Sequence, residues 1–279
     1  MALSIHTNYS ALTTNTALNK SNNALATNQQ RLGTGLRINS AADDAAGLQI
    51  ATRLNAQSRG MGVAMRNTGD AISMLQTAEG AFSEMTDIMQ RMKDLATQAA
   101  NDTNSDDDRT SLKAEFDELG KELTNIVDNT KYAGEALFAA GGKFTAAITF
   151  QIGASSAETM ELNASTSLTA VTTAITTVKA EALDDATNAG SAIDELETAL
   201  DAVGSMRATL GANINRLNHT NNNLANMKDN TEMAKGRIMD ADFAVESANM
   251  SKNSMLMQSG ISMLKQAGQM PGMVMGLLG

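Results

Sequence analysis

Leu75, Phe82, Met89 and Ala96 stand seven residues apart, and Ala78, Met85, Met92 and Ala99 form a second seven-residue series beside them. Apolar side chains kept at this spacing over nearly four heptads line one stripe of a helix, and that stripe has to be covered by another helix. Residues 72–100 are therefore expected to form a coiled-coil element. At 1.5 Å per residue it would run roughly 40 Å. The pattern recurs downstream: Leu112, Phe116, Leu119, Leu123 and Ile126 alternate three and four apart. After Gly190, Leu196, Val203, Leu210, Leu217 and Leu224 hold strict seven-residue spacing, with Ile193, Leu200 and Ile214 on the adjoining stripe. A polar break at residues 101–108, where Ser105 and Asp108 are spaced as a capping box, separates the first two helices. So short a connection makes them antiparallel neighbours, and the third helix completes an antiparallel bundle.

Composition suits thin helical layers. Aromatic residues make up 3% of the 279, tryptophan is absent, and 19 methionines supply the flexible thioethers that fill irregular gaps between helices. A net charge of −10 with no basic stripe argues against nucleic acid as a partner, because phosphate binding draws on clustered lysine and arginine. Without cysteine there is neither a disulfide framework nor a thiolate metal site. No basic stretch leads into an apolar run at the start. The longest apolar run near the other end, residues 273–278, contains Gly276 and is too short for a bilayer, so neither a secretory leader nor membrane insertion is expected.

Residues 31–57 form a joint. Gly33 and Gly35 interrupt a helical pattern and end a first helix, and serve as its linker or hinge. Asn39 and Ser40 then offer N-cap oxygens, Asp43 stands three residues after Ser40 as in a capping box, and Asp43 with Asp44 favours the positive end of a second helix. Ahead of the joint, Ile5 and Leu12 are seven apart, as are Leu18, Leu25 and Leu32, with mostly Asn, Thr, Ser and Ala between them. So narrow a seam needs a partner helix. Beyond the third long helix the seven-residue series continues through Ile238 and Val245, with Ala234, Ala241, Ala248 and Met255 between, so the tail is expected to pair with the first helix. Leu256, Leu264, Leu277 and Leu278 extend that seam. Asn15, Asn19, Asn22 and Lys252 dilute both ends, and one pair of such helices barely offsets the entropy of ordering them.

Phe144, Ala146, Ile148, Phe150 and Ile152 alternate with mostly polar positions, which reads as a strand; residues 153–158 supply a turn and residues 159–162 a second strand. The expected fold class is mainly α: a long antiparallel helical bundle or coiled-coil rod with a small β-hairpin and paired terminal helices. Residues 1–40 and 236–279 are the terminal pair, disordered in an isolated chain. Residues 41–138 and 180–235 are the rod, and residues 139–179 are the hairpin with a short variable segment.

Chemistry-bearing residues are sparse. His6 and His219 stand on separate helices with no ligand motif around them, and Gly33 and Gly35 lack the third glycine and the preceding strand of a dinucleotide loop. Asp106, Asp107 and Asp108 lack the glycine and closing glutamate of a calcium loop and are read as helix caps. Asp43 and Asp44, as successive helix residues, point about 100° apart and make no acid/base pair. Arg91 near Asp87 and Lys93 near Asp94 read as a solvated helix face. No catalytic residue, cofactor or metal site is expected, and the chain reads as a non-enzyme.

The joint resembles the signature of bacterial flagellins: an arginine-leucine pair, a small-residue linker, Leu36-Arg37-Ile38-Asn39-Ser40-Ala41 and then Asp43-Asp44-Ala45-Ala46-Gly47-Leu48. Residues 68–73, 76–81, 90–98 and 100–105 are similar to that family's first long helix and the loop after it. Residues 238–246 and 271–278 are similar to its C-terminal segment. The likeness covers roughly residues 3–138 and 190–278, with a weaker match at 148–162.

The resemblance implies a structural subunit that polymerises into the flagellar filament used for swimming. It also implies a secreted, extracellular location reached by the flagellar type III export pathway. Implied partners are further copies of the chain, an export chaperone on the C-terminal segment, the filament cap and hook-junction proteins, and the vertebrate flagellin-sensing Toll-like receptor. Gln90, Arg91, Leu95 and Gln98, with Glu115 on the neighbouring helix, look like the receptor-gripped segment, although Lys93 and Asp94 replace the usual arginine and glutamate and Thr97 replaces a valine. Two alternatives stay open: the hook-filament junction protein, which shares the helical core, and a secreted adhesin or coiled-coil effector, which would form a closed oligomer instead of an open helix. The metallopeptidase that some flagellins resemble in their variable domain is set aside, because that domain is missing here along with its ligands.

Overall fold

Capping chemistry sets where the helices begin and end. The computed structural model describes residues 7–278, including every side chain among them except those of 270, 271 and 273–278. Ile5 and His6 lie outside the described residues, as do the side chains of Leu277 and Leu278. Helix α1 (Tyr9–Thr34) starts where the Asn8 side chain accepts from Ala11 N, and it stops at Gly35, whose φ of 71° is left-handed and whose N–H donates to Arg31 O. Gly33 lies inside the helix without a positive φ, so Gly35 alone is the stop.

Helix α2 (Ala45–Ala99) begins later than the capping box at Ser40 suggests. Asp43 spends its carboxylate on the Asn39 N–H, the Ser40 N–H and the Ser40 hydroxyl, which closes a turn ahead of the helix. Asp44 is the cap itself, accepting from Gly47 N at 2.8 Å. From there α2 runs unbroken, so the segment after the joint and the coiled-coil stretch are a single helix. Helix α3 (Asp106–Asn129) starts with the expected Ser105–Asp108 capping box.

Two small antiparallel pairs follow. Strands β1 (Lys131–Tyr132) and β2 (Glu135–Ala136) turn through Ala133 and Gly134, both at positive φ. Strands β3 (Ile148–Gln151) and β4 (Thr159–Leu162) pair with Ile148 opposite Leu162, which directs Met160 and Leu162 inward. The expected strand is shorter than residues 144–152, because Phe144 is held in a 3-10 turn (Lys143–Thr145) and buried beside Phe138, their ring centroids 5.8 Å apart. Helix α4 (Ser165–Ala180) occupies the segment read as variable, and it buries Leu168, Val171, Ile175 and Val178. Helix α5 (Ala186–Met239) and helix α6 (Phe243–Leu278) complete the chain, separated at residues 240–242, where Asp242 caps α6 by accepting from Ala244 N and Val245 N.

The chain divides into two units: Met1–Ala56 with Asn230–Gly279, and Gln57–Asp229. The division falls further into α2 and α5 than the sequence suggests. In the second unit, the α2 residues of both heptad series are fully buried from Leu75 to Ala99, against Phe116 and Leu123 of α3 and Leu196, Val203, Met206 and Leu210 of α5. The tip of the hairpin rests on α2 at Gly60, where an added Cβ would come within 2.7 Å of the Ala154 Cβ.

Candidate assembly site in the terminal helices

In the first unit α1 and α6 lie antiparallel over most of their described lengths. Asn8 Nδ2 donates to Ala267 O at 2.6 Å near one end, and Leu36 bridges Asp240 at the other. The turn that follows α1 is zipped to the turn that follows α5. Arg37 N donates to Met239 O at 2.6 Å, the Arg37 guanidinium to Ile238 O at 2.9 Å, and Ala241 N to Gly35 O at 2.9 Å. Ile38, next in the chain after Arg37, is buried with its Cδ1 against Gly47 of α2, and Gly35 faces the ring of Phe243. Asn39 N, Ser40 N and the Ser40 hydroxyl hold the Asp43 carboxyl below its ordinary pKa.

The seam between α1 and α6 is narrow. Leu18, Leu25 and Leu32 are half-buried on α1, whereas Leu12 is 61% exposed. On α6 the side turned toward α1 carries Glu246, Asn253, Met257, Gly260, Leu264 and Ala267, all buried or half-buried at alternating steps of seven, four and three. Val245 and Leu256, placed in that seam by the sequence, are 54% and 48% exposed. They fall on other faces because the break at residues 240–242 resets the phase, so the seven-residue series of α5 does not carry into α6. Ile238 is half-buried in the last turn of α5.

A polar cluster that the sequence reading missed sits within the seam. Asn28 Nδ2 donates to Glu246 Oε2, Arg31 Nη1 to Glu246 Oε1 at 3.0 Å, and Asn253 Nδ2 to Asn28 Oδ1 at 2.9 Å. Asn28 and Glu246 are each 7% exposed. The signal was present, since Asn28 stands seven residues after Ser21 and Glu246 seven before Asn253, but polar residues there read as dilution of an apolar seam.

In the second unit Gln90, Arg91, Gln98 and Glu115 are exposed, with Arg91 paired to Glu115 at 2.7 Å. Leu95 is different: at 1% exposed it belongs to the bundle core and presents no surface to a partner. Its place in the heptad pattern, one residue before Ala96, turns it inward. Arg91 and Lys93 do not pair along their own helix as expected. Lys93 reaches Glu197 of α5 at 2.7 Å, and Arg91 reaches α3, because the neighbouring helices bring carboxylates within reach. Arg91, Glu115 and Glu197 are exposed and Lys93 is half-buried at the surface, so each pair contributes little to stability. His219 lines a groove of about 430 Å³ between the hairpin tip, α2 and α5. Among the described residues no cluster of three metal-ligating side chains occurs, and no helix is long and apolar enough to cross a membrane.

Comparison with known proteins matches residues 5–143 to the bacterial flagellin N-terminal helical region and residues 193–278 to the bacterial flagellin C-terminal helical region. The chain is similar to flagellin A of Vibrio anguillarum, 36% identical over 381 aligned residues that take in all of both chains. Since this chain has 279 residues, the relative carries length that is absent here. To flagellin C of Vibrio cholerae serotype O1 it is 49% identical over 57% of this chain and 41% of that one. Among solved structures, a Bacillus cereus flagellin is 35% identical, with a TM-score of 0.50 over 57% of this chain and 88% of that one. A flagellar hook-associated protein from Vibrio parahaemolyticus has a TM-score of 0.58 over 71% of this chain and all of that one, and at 13% identity it shows a shared fold alone. Heptad helices, zipped joint, paired ends and the matches that run through all of them lead to one conclusion: the chain belongs to the bacterial flagellin family.

Proposed function

We propose that α1 and α6 are the polymerising part of the molecule, largely disordered in the isolated chain and ordered by packing against several neighbours in the filament. As a flagellin the chain is a structural subunit of the extracellular bacterial flagellar filament, which serves motility. One observation carries the finer reading. Beyond Ile38 at the joint, the first unit buries little apolar side chain, while Leu12, Phe243, Val245, Met255, Leu256 and Ile261 point outward. A pair that leaves most of its apolar surface in water gains little from folding alone and more from being covered. Seam residues Leu18, Leu25, Leu32 and Leu264 then hold the pair together, and the outward set meets neighbours. Gly35, where α1 stops, acts as the linker after that helix, whereas Gly33 lies within it.

Export by the flagellar type III pathway, an export chaperone on the C-terminal segment, and contact with cap and hook-junction proteins complete the proposal, together with the absence of catalysis, nucleic-acid binding and membrane insertion. Family membership supports each. Recognition by the flagellin-sensing Toll-like receptor falls to Gln90, Arg91, Gln98 and Glu115, with Leu95 supporting that face from within. Arg91→Ala is expected to weaken receptor signalling by the soluble chain about tenfold or more, as for an arginine near an interface centre, with an unchanged dose response as the contrary result.

Electron microscopy of the purified full chain, beside the chain lacking residues 240–279, tests the main reading. Filaments from the first and a soluble, helical, non-polymerising second are expected. Filaments from the shortened chain would overturn it.

A further inference from the structure

The cluster of buried Asn28 and Glu246 with half-buried Arg31 and Asn253 has a cost without an obvious return in stability. Removing a carboxylate and an amide from water requires compensation by good hydrogen bonds, and here the Arg31 Nε remains buried without a partner. Apolar residues of similar volume commonly pack at least as stably at such positions. What the cluster does supply is discrimination. The rest of the seam is built from Ala11, Thr14, Ser21 and Ala24 with a few half-buried leucines, so sliding one helix by a heptad changes its apolar contacts little.

We propose that this cluster is a register key for the antiparallel α1–α6 pair: it admits one axial alignment and penalises those one heptad away. In the present register Glu246 meets an amide and a guanidinium. A slip of one heptad in one direction sets it opposite Ser21 and Ala24, which offer one hydroxyl between them. A slip in the other carries it past Thr34, the end of α1. Either slip leaves a buried carboxylate without its cation, the costly outcome for a buried ion pair. The same logic governs a single buried asparagine in a coiled coil, which sets register at the expense of stability.

A second feature repeats the alignment. Leu18 lies over Gly260, where an added Cβ would be 3.1 Å from the Leu18 Cδ1, so a side chain at position 260 would crowd the leucine. With Asn8 on Ala267 O, three points along the pair hold one common offset. The key thereby fixes which outward residues of α1 and α6 stand level with each other. The inference goes beyond the assembly reading, because it concerns the pair's alignment and not what the pair contacts.

Disulfide trapping in the full chain tests it, and the natural sequence contains no cysteine to interfere. An added Cβ at Gly260 lies 3.9 Å from the Leu18 Cβ, within the range a disulfide spans, so Leu18→Cys with Gly260→Cys reports the present register. Ala11→Cys and Leu25→Cys, each with Gly260→Cys and with Leu18→Ala to relieve the crowding at position 260, report slips of one heptad, about 10 Å along the helix and beyond disulfide reach when the key holds. Mild oxidation is applied to the soluble chain and to filaments. With the key intact, the in-register link is expected to exceed either slipped link by about tenfold or more in whichever state orders the pair. With Asn28→Leu, Arg31→Met, Glu246→Leu and Asn253→Leu together, the three links are expected to fall within about threefold of one another while helicity is kept. Glu246→Gln, which keeps shape and hydrogen bonding, is expected to preserve the preference. Slipped links as abundant as the in-register link with the key intact would overturn the proposal, as would undiminished preference in the fourfold variant or no in-register link in either state. Failure of the unsubstituted chain to form filaments, with the in-register link still dominant in the soluble chain, would count against the assembly reading alone.

Discussion

Gly33 and Gly35 look equivalent in the sequence, yet their backbones assign them opposite roles. Gly35 has a φ of 71°, a conformation that costs an ordinary residue roughly 1 kcal/mol or more, whereas Gly33 is helical with nothing within 4 Å of an added Cβ. Gly35→Ala is therefore expected to destabilise the end of α1 by about 1 kcal/mol, and Gly33→Ala to stabilise it by up to about 1 kcal/mol. Amide exchange in the last turn of α1 checks both signs. The caps separate in the same way. Asp44→Ala removes the side chain that starts α2 and is expected to cost about 1 kcal/mol, while Ser40→Ala leaves Asp43 its two backbone donors and costs less. Asp43 and Asp108 both titrate below the ordinary aspartate value, Asp43 chiefly through the Asn39 N–H and Asp108 chiefly through the Ser105 hydroxyl. A depressed folded pKa gives stability that is fully present above about pH 4 and is lost as pH falls through the lower folded value. Circular dichroism in acid should accordingly show these helix starts loosening only below about pH 4, and an onset near neutrality would contradict the assignment.

Among the elements, α4 is where sequence and structure part most. Its composition of Ser, Thr and Ala reads as a variable segment, yet Leu168, Val171, Ile175 and Val178 recur at three- and four-residue steps and close over the core. Its threonines obscure that period, although Thr169 and Thr176 simply donate to carbonyls four residues back and leave the helix intact. Ile175→Ala is expected to lower unfolding stability by about 2–4 kcal/mol in urea titration, and a loss below about 0.5 kcal/mol would mean the helix is dispensable. Leu95→Ala should cost a similar amount while Arg91→Ala leaves stability unchanged, which separates a core effect from a surface one in any receptor assay. The long helices and the β3–β4 hairpin were legible because their apolar periods are long or strictly alternating. The turn between β1 and β2 was not, since Ala133 adopts a positive φ without the Asn-Gly signal that usually marks one. The polar key escaped for a third reason: periodicity counts apolar residues, and this contact is made by the residues such counting discards.

For the whole molecule, the two units differ in what they bury. The second holds the continuous core from Ala71 to Leu217, whereas the buried apolar side chains described in the first are Ile38, Ala51 and Ala267, with Asn28 and Glu246 as its buried polar residues. Local opening free energy follows local burial, and elements that must rearrange for assembly come from the weakly protected end of that range. Amide exchange on the soluble chain is therefore expected to find residues 9–34 and 243–269 exchanging at least about a hundredfold faster than residues 75–99, near the rate of an unstructured chain. In filaments the same amides should become protected, because whatever binds the folded form of the ends and not the unfolded form stabilises it by mass action. The zipper at Arg37, Met239 and Ala241 should behave as an intermediate case, since it is built of backbone hydrogen bonds and is followed in the chain by the buried Ile38. The contrast between units, and not absolute protection, is what decides the matter: equal protection of α1 and α2 in the soluble chain would show that the terminal pair folds on its own and that assembly adds contacts without adding order.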